Sequence, residues 1–237
     1  MKNTETQGDQ PEFDAFAEDY DTVLNQGLKI SGEDKNFFAE GRTQWLRSKL
    51  TEIGAASSRT LDFGCGTGSA TPFLYKHLGS DYILGVDPSE KSLAQARAAW
   101  SGDYSVEFAT PEGEHTGNFD LAFCNGVFHH IPLAERKKAV QFVYDQLKPG
   151  GVFAFWENNP WNPGTRYAMS RVPFDKDAIL VWPHGARKLL TENGFSILRT
   201  DYVFFFPRLL SRLRILEPFI HWLPFGGQYL VLCQKAK

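Results

Sequence analysis

The sequence predicts an α/β fold, a doubly wound and mostly parallel sheet. Three observations carry this. From Ser58 onward, short apolar runs alternate with helical periodicities, the pattern of a parallel sheet covered on both faces. The run Leu61-Asp62-Phe63 ends in Gly64-Cys65-Gly66-Thr67-Gly68. A glycine at every second position lets the backbone turn sharply and approach a ligand closely. Nineteen residues past Gly68, a second run, Ile83-Leu84-Gly85-Val86, ends in Asp87. An acid at that place accepts hydrogen bonds from both hydroxyls of a ribose. Together these features predict a nucleoside-containing ligand lying across the ends of parallel strands.

Each element follows from its residues. Residues 1–10 are polar and are expected to be disordered. Phe13, Phe16, Ala17, Tyr20, Val23 and Leu24 then recur at helical spacing. A second helix is expected after Ser31, capped by that serine with Asp34 three residues on, and burying Phe38, Trp45, Leu46 and Leu50. Strands are expected at 59–63, up to Asp87, at 105–110, 119–125 and 152–157. Between them lie helices at 69–78, with Pro72 in the first turn, after Pro88-Ser89 with Leu93, Ala96 and Trp100 inward, and at 133–148. The last helix carries Val140, Val143, Tyr144 and Leu147 on one face and stops at Lys148-Pro149-Gly150-Gly151. Beyond Glu157 the pattern loosens into an insertion at 158–181, a helix at 184–193 ended by Gly194, a strand at 196–206, a second insertion at 207–227 and a strand at 228–234. The chain reads as one domain over 1–237, without internal repeats.

Bulk properties narrow the function. The 237 residues suffice for one α/β domain with a full core. A net charge of −3 gives no field that favours nucleic acid. The three cysteines, Cys65, Cys124 and Cys233, are odd in number and scattered, which suits a reducing, cytoplasmic compartment. Residues 1–10 lack the apolar core of a signal peptide, and no run of about 18 apolar residues is present to span a membrane.

The turn also discriminates among nucleoside ligands. A dinucleotide site calls for Gly-x-Gly-x-x-Gly, yet Ser69 stands where the third glycine would fall. Asp62, just before the turn, would repel a diphosphate and attract a cation. This favours S-adenosylmethionine, which carries a sulfonium and an ammonium and no phosphate, over the nicotinamide cofactor of an NAD(P)-dependent oxidoreductase.

At these residues the chain resembles the class I S-adenosylmethionine-dependent methyltransferases, the group that includes ubiquinone, sterol and small-molecule methylases. The matching segments are 61–68, Gly85-Val86-Asp87-Pro88-Ser89, Phe119-Asp120-Leu121-Ala122, Leu147-Lys148-Pro149-Gly150-Gly151 and the opening Phe13-Asp14…Tyr20-Asp21. The resemblance covers about 13–157 and, more weakly, the final strand. It implies a seven-stranded sheet with an antiparallel last strand, and methyl transfer to a small molecule at oxygen or carbon. It implies that Asp62 and Gly64 hold the methionine part, with Cys65, Gly66 and Gly68 in the turn, and that Asp87, followed by Pro88, holds the ribose. Asn125 and Phe128 would line the cofactor, and Tyr20 would close over it. Many members carry an acid after strand three that reads adenine. This chain has Ala109-Thr110-Pro111-Glu112, leaving Thr110 and Glu112 as candidates.

Each assignment has a plainer alternative. The glycines alone make a tight turn, Asp87 suits a helix cap, Tyr20 and Phe13 suit a core, and Cys65 and Cys124 suit packing. His129 and His130 follow strand four at the reactive edge, where an imidazole can take a proton from a hydroxyl acceptor. Neither has a partner at metal-ligand spacing, so no metal is expected. The Asn/Asp-Pro-Pro-Tyr signature of methylases acting on nucleic acid bases is absent after strand four.

The acceptor is expected to meet the insertions. Trp161, Arg166, Tyr167 and Arg171 set cations beside aromatics, which suits a carboxylate or phosphate on an apolar body. Alternatively, those arginines pair with Asp175 and Asp177. In 207–227, Arg208, Arg212 and Arg214 interleave with leucines before Phe219, Trp222 and Phe225. That composition suits a peripheral membrane contact, a lid over an apolar or lipid-linked acceptor, or a homodimer contact. A cofactor-binding module without turnover, acting at a membrane surface, is the alternative to an enzyme.

Overall fold

The computed structural model describes residues 20–102, 105–113, 117–175 and 178–236. Two helices come first, α1 (Tyr20–Leu28) and α2 (Lys35–Ile53). The alternation then runs β1 (Arg59–Phe63), α3 (Thr71–Leu78), β2 (Tyr82–Val86), α4 (Glu90–Ala99), β3 (Ser105–Ala109), β4 (Phe119–Asn125), α5 (Arg136–Gln146) and β5 (Leu147–Asn158). The remainder is α6 (Pro163–Met169), α7 (Pro183–Glu192), β6 (Phe195–Val203), a 3-10 segment (Arg208–Leu216), α8 (Glu217–Ile220) and β7 (Gln228–Lys235).

All seven strands form one sheet in the order β3-β2-β1-β4-β5-β7-β6. The first five pair in parallel, and β7 runs antiparallel to both β5 and β6. The doubly wound sheet with its antiparallel last strand is therefore as expected. Strand order reverses between β1 and β4, and ligands of such sheets bind in the crevice beyond the strand ends at that switch.

Side chains alternate across the sheet. Phe63, Val86, Cys124, Phe153 and Phe155 pack on one face with Val140 and Val143 of α5 and Ala186 and Leu190 of α7. Ile83, Leu121, Phe123, Ala154 and Trp156 pack on the other with Leu46 and Leu50 of α2 and Leu74 and Leu78 of α3. Covering both faces explains why the central strands read as continuous apolar runs.

Four local expectations are corrected. Asp34, not Ser31, caps α2 by accepting the Phe37 N–H at 2.9 Å. Ser31 instead donates to the Leu28 carbonyl. The Lys-Pro-Gly-Gly stop of α5 already lies in β5, because Leu147 pairs with Phe119 ahead of a register shift. Trp100 lies past the end of α4 and is half-buried. Strand β6 ends at Val203, since Phe204 takes a left-handed φ of 62°. The expected tail and the positions of Phe13, Phe16 and Ala17 lie outside the described residues.

Candidate active site

The glycine turn ties the ends of β1 and β2 together. The Gly64 and Cys65 N–H groups both donate to the Val86 carbonyl, at 2.7 and 3.1 Å. Gly64 has φ of 73°, and a Cβ there would stand 2.2 Å from Val127. Gly66 differs: its φ is 52°, yet a Cβ would meet nothing within 4 Å. The outer face of the turn is thus bare backbone open to a ligand.

Two acids flank this cradle. Asp87 Oδ2 accepts the Gly66 N–H and Oδ1 accepts the Ser89 N–H, both at 2.9 Å. Ser89 also caps α4. Asp62 is buried, and its Oδ2 has no hydrogen-bond partner in the protein. Burial, reinforced by the nearby Asp87 charge and opposed by Arg42, raises its carboxyl to about 7. A buried carboxylate oxygen without a donor beside an open cradle is a group built for a ligand. The ammonium of S-adenosylmethionine fits it, and a diphosphate does not.

The other cofactor candidates divide. Asn125 ends β4 with a buried, unpartnered Oδ1 facing the same edge. Phe128 is wholly buried against Phe63 and Phe155, so its side chain is core. Its backbone N–H serves the site by donating to Glu157 Oε1 at 2.8 Å. Cys65 packs inside the turn, where burial pushes its thiol well above the usual range. Glu112 is exposed and Thr110 half-buried past the end of β3, with Pro88 between Asp87 and the α4 cap. Tyr20 begins α1, and its side chain lies outside the described residues.

Next to Asn125 and Gly126 opens a cavity of about 320 Å³. Phe37, Phe38, Phe204, Phe205 and Phe206 give it an aromatic wall, and α6 contributes Thr165, Ala168 and Met169. Lys35 and Arg42 also reach it. Lys35 donates to Ser69 Oγ at 3.1 Å, linking the cavity to the glycine turn, and Arg42 donates to Gln228 Oε1 at 2.9 Å.

None of Trp161, Arg166, Tyr167 and Arg171 lines this cavity. All four are exposed. Asn162 caps α6 through the Thr165 N–H, and the helix then turns Thr165, Ala168 and Met169 inward, sending Arg166 and Tyr167 to solvent. Arg171 stacks on Tyr167 and donates to its hydroxyl at 2.9 Å. Neither arginine pairs with Asp175, and Asp177 lies outside the described residues.

Asp175 instead joins the histidines. His129 is 3 % exposed and lies between two carboxylates. Its Nδ1 is 2.7 Å from Glu157 Oε2, and its Nε2 is 3.4 Å from Asp175 Oδ1. His130 Nε2 is 3.3 Å from the same Oδ1. Burial by itself lowers the His129 pKa, but Glu157 and Asp175 outweigh it and raise the ring to about 10. In the protein alone, the two carboxylates thus favour the charged form of His129. Sequence reasoning missed Glu157 and Asp175. An acid ending the strand beside β4 was the available signal for the first. Nothing local signalled the second.

Comparison with known proteins agrees with this geometry. A family profile described as a methyltransferase domain matches residues 61–153. Trans-aconitate 2-methyltransferase of Rhizobium etli is 30% identical over 118 residues, covering 49% of this chain and 45% of that protein. The Escherichia coli enzyme of the same name is 28% identical over 149 residues, covering 60% and 58%. The chain thus spans about half the length of the curated relatives it matches. Among solved structures, an S-adenosylmethionine-dependent methyltransferase from Clostridium acetobutylicum superposes with a TM-score of 0.65 at 18% identity, covering 95% of this chain and 99% of that one. One from Mesorhizobium loti gives 0.58 at 22% identity, covering 83% and 100%. The matched segment contains the glycine turn, both flanking acids and the two histidines. The aromatic wall and α6 lie outside the matched segment.

Proposed function

We propose that this protein methylates an apolar small molecule, at oxygen or carbon, using S-adenosylmethionine. The observation that carries the reading is a pair of unlike features linked through Lys35 and Ser69: an open glycine cradle with an unpartnered buried Asp62, and a phenylalanine-walled cavity. S-adenosylmethionine supplies a methyl group made electrophilic by its sulfonium, and leaves as S-adenosylhomocysteine. Asp62 would hold the cofactor's ammonium and Asp87 its ribose, while the turn brings bare backbone against it. The aromatic wall would exclude water and align the acceptor, which is the main source of rate in a displacement of this kind. The cluster of His129, His130, Asp175 and Glu157 handles the acceptor's ionisable group.

Lys35 and Arg42 on the same wall favour a second reading of the acceptor, an apolar body bearing a carboxylate. The curated relatives are named for a carboxylate acceptor. Trans-aconitate is almost wholly polar and suits five phenylalanines poorly, so it serves as the control substrate.

The segment over the cavity supports a lipid-linked acceptor. Leu209, Phe219 and Trp222 are 92%, 74% and 66% exposed, and Ile215 and Phe225 are exposed beside them. Polar anchors hold this face outward. Glu217 accepts the N–H groups of Phe204, Phe205 and Phe206 at 3.1–3.2 Å. Arg214 donates to Glu33 Oε1 and to the Phe206 carbonyl and stacks on Phe37. Asn159 and Asn162 donate to the carbonyls of Pro224, Gly226 and Phe225. With exposed Arg208 and Arg212 alongside, the surface matches an anionic lipid interface.

Calorimetric titration with S-adenosylmethionine, S-adenosylhomocysteine and NADH tests the cofactor. The first two are expected to bind, and Asp87→Ala to weaken them about a hundredfold, roughly 3 kcal/mol. NADH binding alone would overturn the reading. Transfer of a labelled methyl to apolar hydroxylated acceptors, apolar monocarboxylates or trans-aconitate then separates the acceptor classes.

A further inference from the structure

The His129–His130–Asp175 cluster is ion-paired, yet its contacts to Asp175 are longer than a strong charged hydrogen bond. A charged imidazole–carboxylate hydrogen bond measures about 2.7–2.9 Å. His129 makes such a bond on one side, where Nδ1 lies 2.7 Å from Glu157. On its other side the same ring stops 3.4 Å from Asp175 Oδ1, and His130 Nε2 stops 3.3 Å from that oxygen. Two nitrogens converge on one oxygen, each too far for a strong hydrogen bond. Three ligands around one tetrahedral ion, with bonds of about 2.1 Å, stand about 3.4 Å apart.

The surroundings agree. The three ligand atoms all lie within 4.8 Å of one another. Glu157 Oε2 lies on His129 Nδ1, so once the ring gives up one proton to an incoming cation, the proton kept at Nδ1 leaves Nε2 with its lone pair toward the cluster. That is the carboxylate–histidine arrangement typical of metal-bound imidazoles. Glu157 is itself set by the N–H groups of Phe128 and His129, at 2.8 and 3.3 Å. The backbone after Asp175 is returned to the histidines by the Ile179 N–H, which donates to the His129 carbonyl at 2.8 Å. All three ligand residues line the aromatic cavity.

We propose that His129 Nε2, His130 Nε2 and Asp175 bind a divalent first-row transition ion, with Glu157 orienting His129 and the remaining coordination position facing the acceptor cavity. Two imidazoles and one carboxylate suit Zn²⁺, Fe²⁺ or Mn²⁺. Three protein ligands and one open position are the pattern of a reactive site and not a structural one. The open position fits an acceptor oxygen, whether hydroxyl, enol or carboxylate. Only this last role rests on the methyl-transfer reading; the site itself does not.

The test needs neither cofactor nor acceptor, so its failure is distinct from a failure of that reading. The full chain, stripped by chelator and dialysed, is titrated with Zn²⁺ against a chromophoric competitor, and with Co²⁺ while visible absorption is followed. One ion per chain is expected, with intense Co²⁺ bands of low coordination number. His130→Ala and Asp175→Ala are each expected to weaken Zn²⁺ binding at least a hundredfold. Glu157→Gln should weaken it by about ten- to a hundredfold. Circular dichroism identifies any variant that fails to fold. The half-buried His130 is the variant least exposed to that risk. Absence of saturable binding in the parent, or affinity unchanged in folded His130→Ala, would overturn the proposal and leave a buried imidazolium between two carboxylates.

Discussion

The glycine turn and the aromatic cavity meet at Asn125 and Gly126, yet they draw on the chain in opposite ways. The turn is made by consecutive residues whose backbone does the work: Gly64 and Cys65 are fixed by one carbonyl of the neighbouring strand, and Gly66 offers bare backbone. The cavity is made by side chains gathered from α2, the end of β4, α6 and the segment after β6. A local backbone device admits few residue types. A wall assembled from distant side chains admits many. The turn is thus held by backbone stereochemistry, and the cavity by packing together with the polar anchors of the segment over it.

The most severe way to break the contrast is a methyl group in the turn. At Gly64 a Cβ would stand 2.2 Å from Val127 Cγ2 at φ of 73°. Left-handed backbone costs about 1–2 kcal/mol for an L-residue and overpacking about 1–3 more. Gly64→Ala is therefore expected to lose roughly 3 kcal/mol of stability in denaturant titration, with cofactor binding lost alongside. An Ala168→Gly change on the cavity wall, by comparison, should leave cofactor affinity unaltered.

Asp62 sharpens the comparison by coupling stability to binding. Its carboxyl is raised to about 7 from an ordinary 3.8, chiefly by burial. The folded state therefore holds a proton that the unfolded state has released between those values, and stability falls as pH rises through that window. Asp62→Asn removes the effect, so at pH 8 the variant should melt above the parent, by an amount on the order of 4 kcal/mol at full expression. Binding runs the other way. A cationic ligand needs the ionised carboxylate, so parent affinity for S-adenosylmethionine should rise about tenfold from pH 6 to pH 8 and stay flat in the variant. Calorimetry in two buffers of different ionisation enthalpy would show the accompanying proton release.

How far each half could be read from the sequence follows the same line. The β1 turn and the acids Asp62 and Asp87 were legible as candidates because glycine spacing and an acid at a strand end are patterns of neighbouring residues. The alternation of apolar runs gave the sheet for the same reason, and even its misplaced edges, such as Leu147 already in β5, are shifts of a few residues. Asp175 was not legible: 46 positions separate it from His129, and the fold alone brings them together. Nor was the inward face of α6. Arginines and aromatics attracted attention at 161–171, whereas the cavity uses Thr165, Ala168 and Met169, which carry no chemical signature. Phe128 erred in the opposite sense, a side chain expected beside the cofactor that the core absorbs.

The smallest effect on the fold is expected at the surface that most resembles a binding face. Leu209 and Phe219 stand free of the core, so Leu209→Asp with Phe219→Asp should change stability by about 0.5 kcal/mol or less. Glu217, Arg214, Asn159 and Asn162, which hold the segment, remain intact in that variant. Any change in behaviour is then a property of the outer face. Sedimentation with vesicles of anionic phospholipid is expected to carry down the parent and not the variant, and zwitterionic vesicles should carry down less of either. A parent that ignores vesicles but forms dimers, which the variant does not, would assign the surface to a second copy of the chain. In that case the cavity would open beside a protein interface, and its acceptor would have to arrive through water, favouring the carboxylate-bearing class over the lipid-linked one.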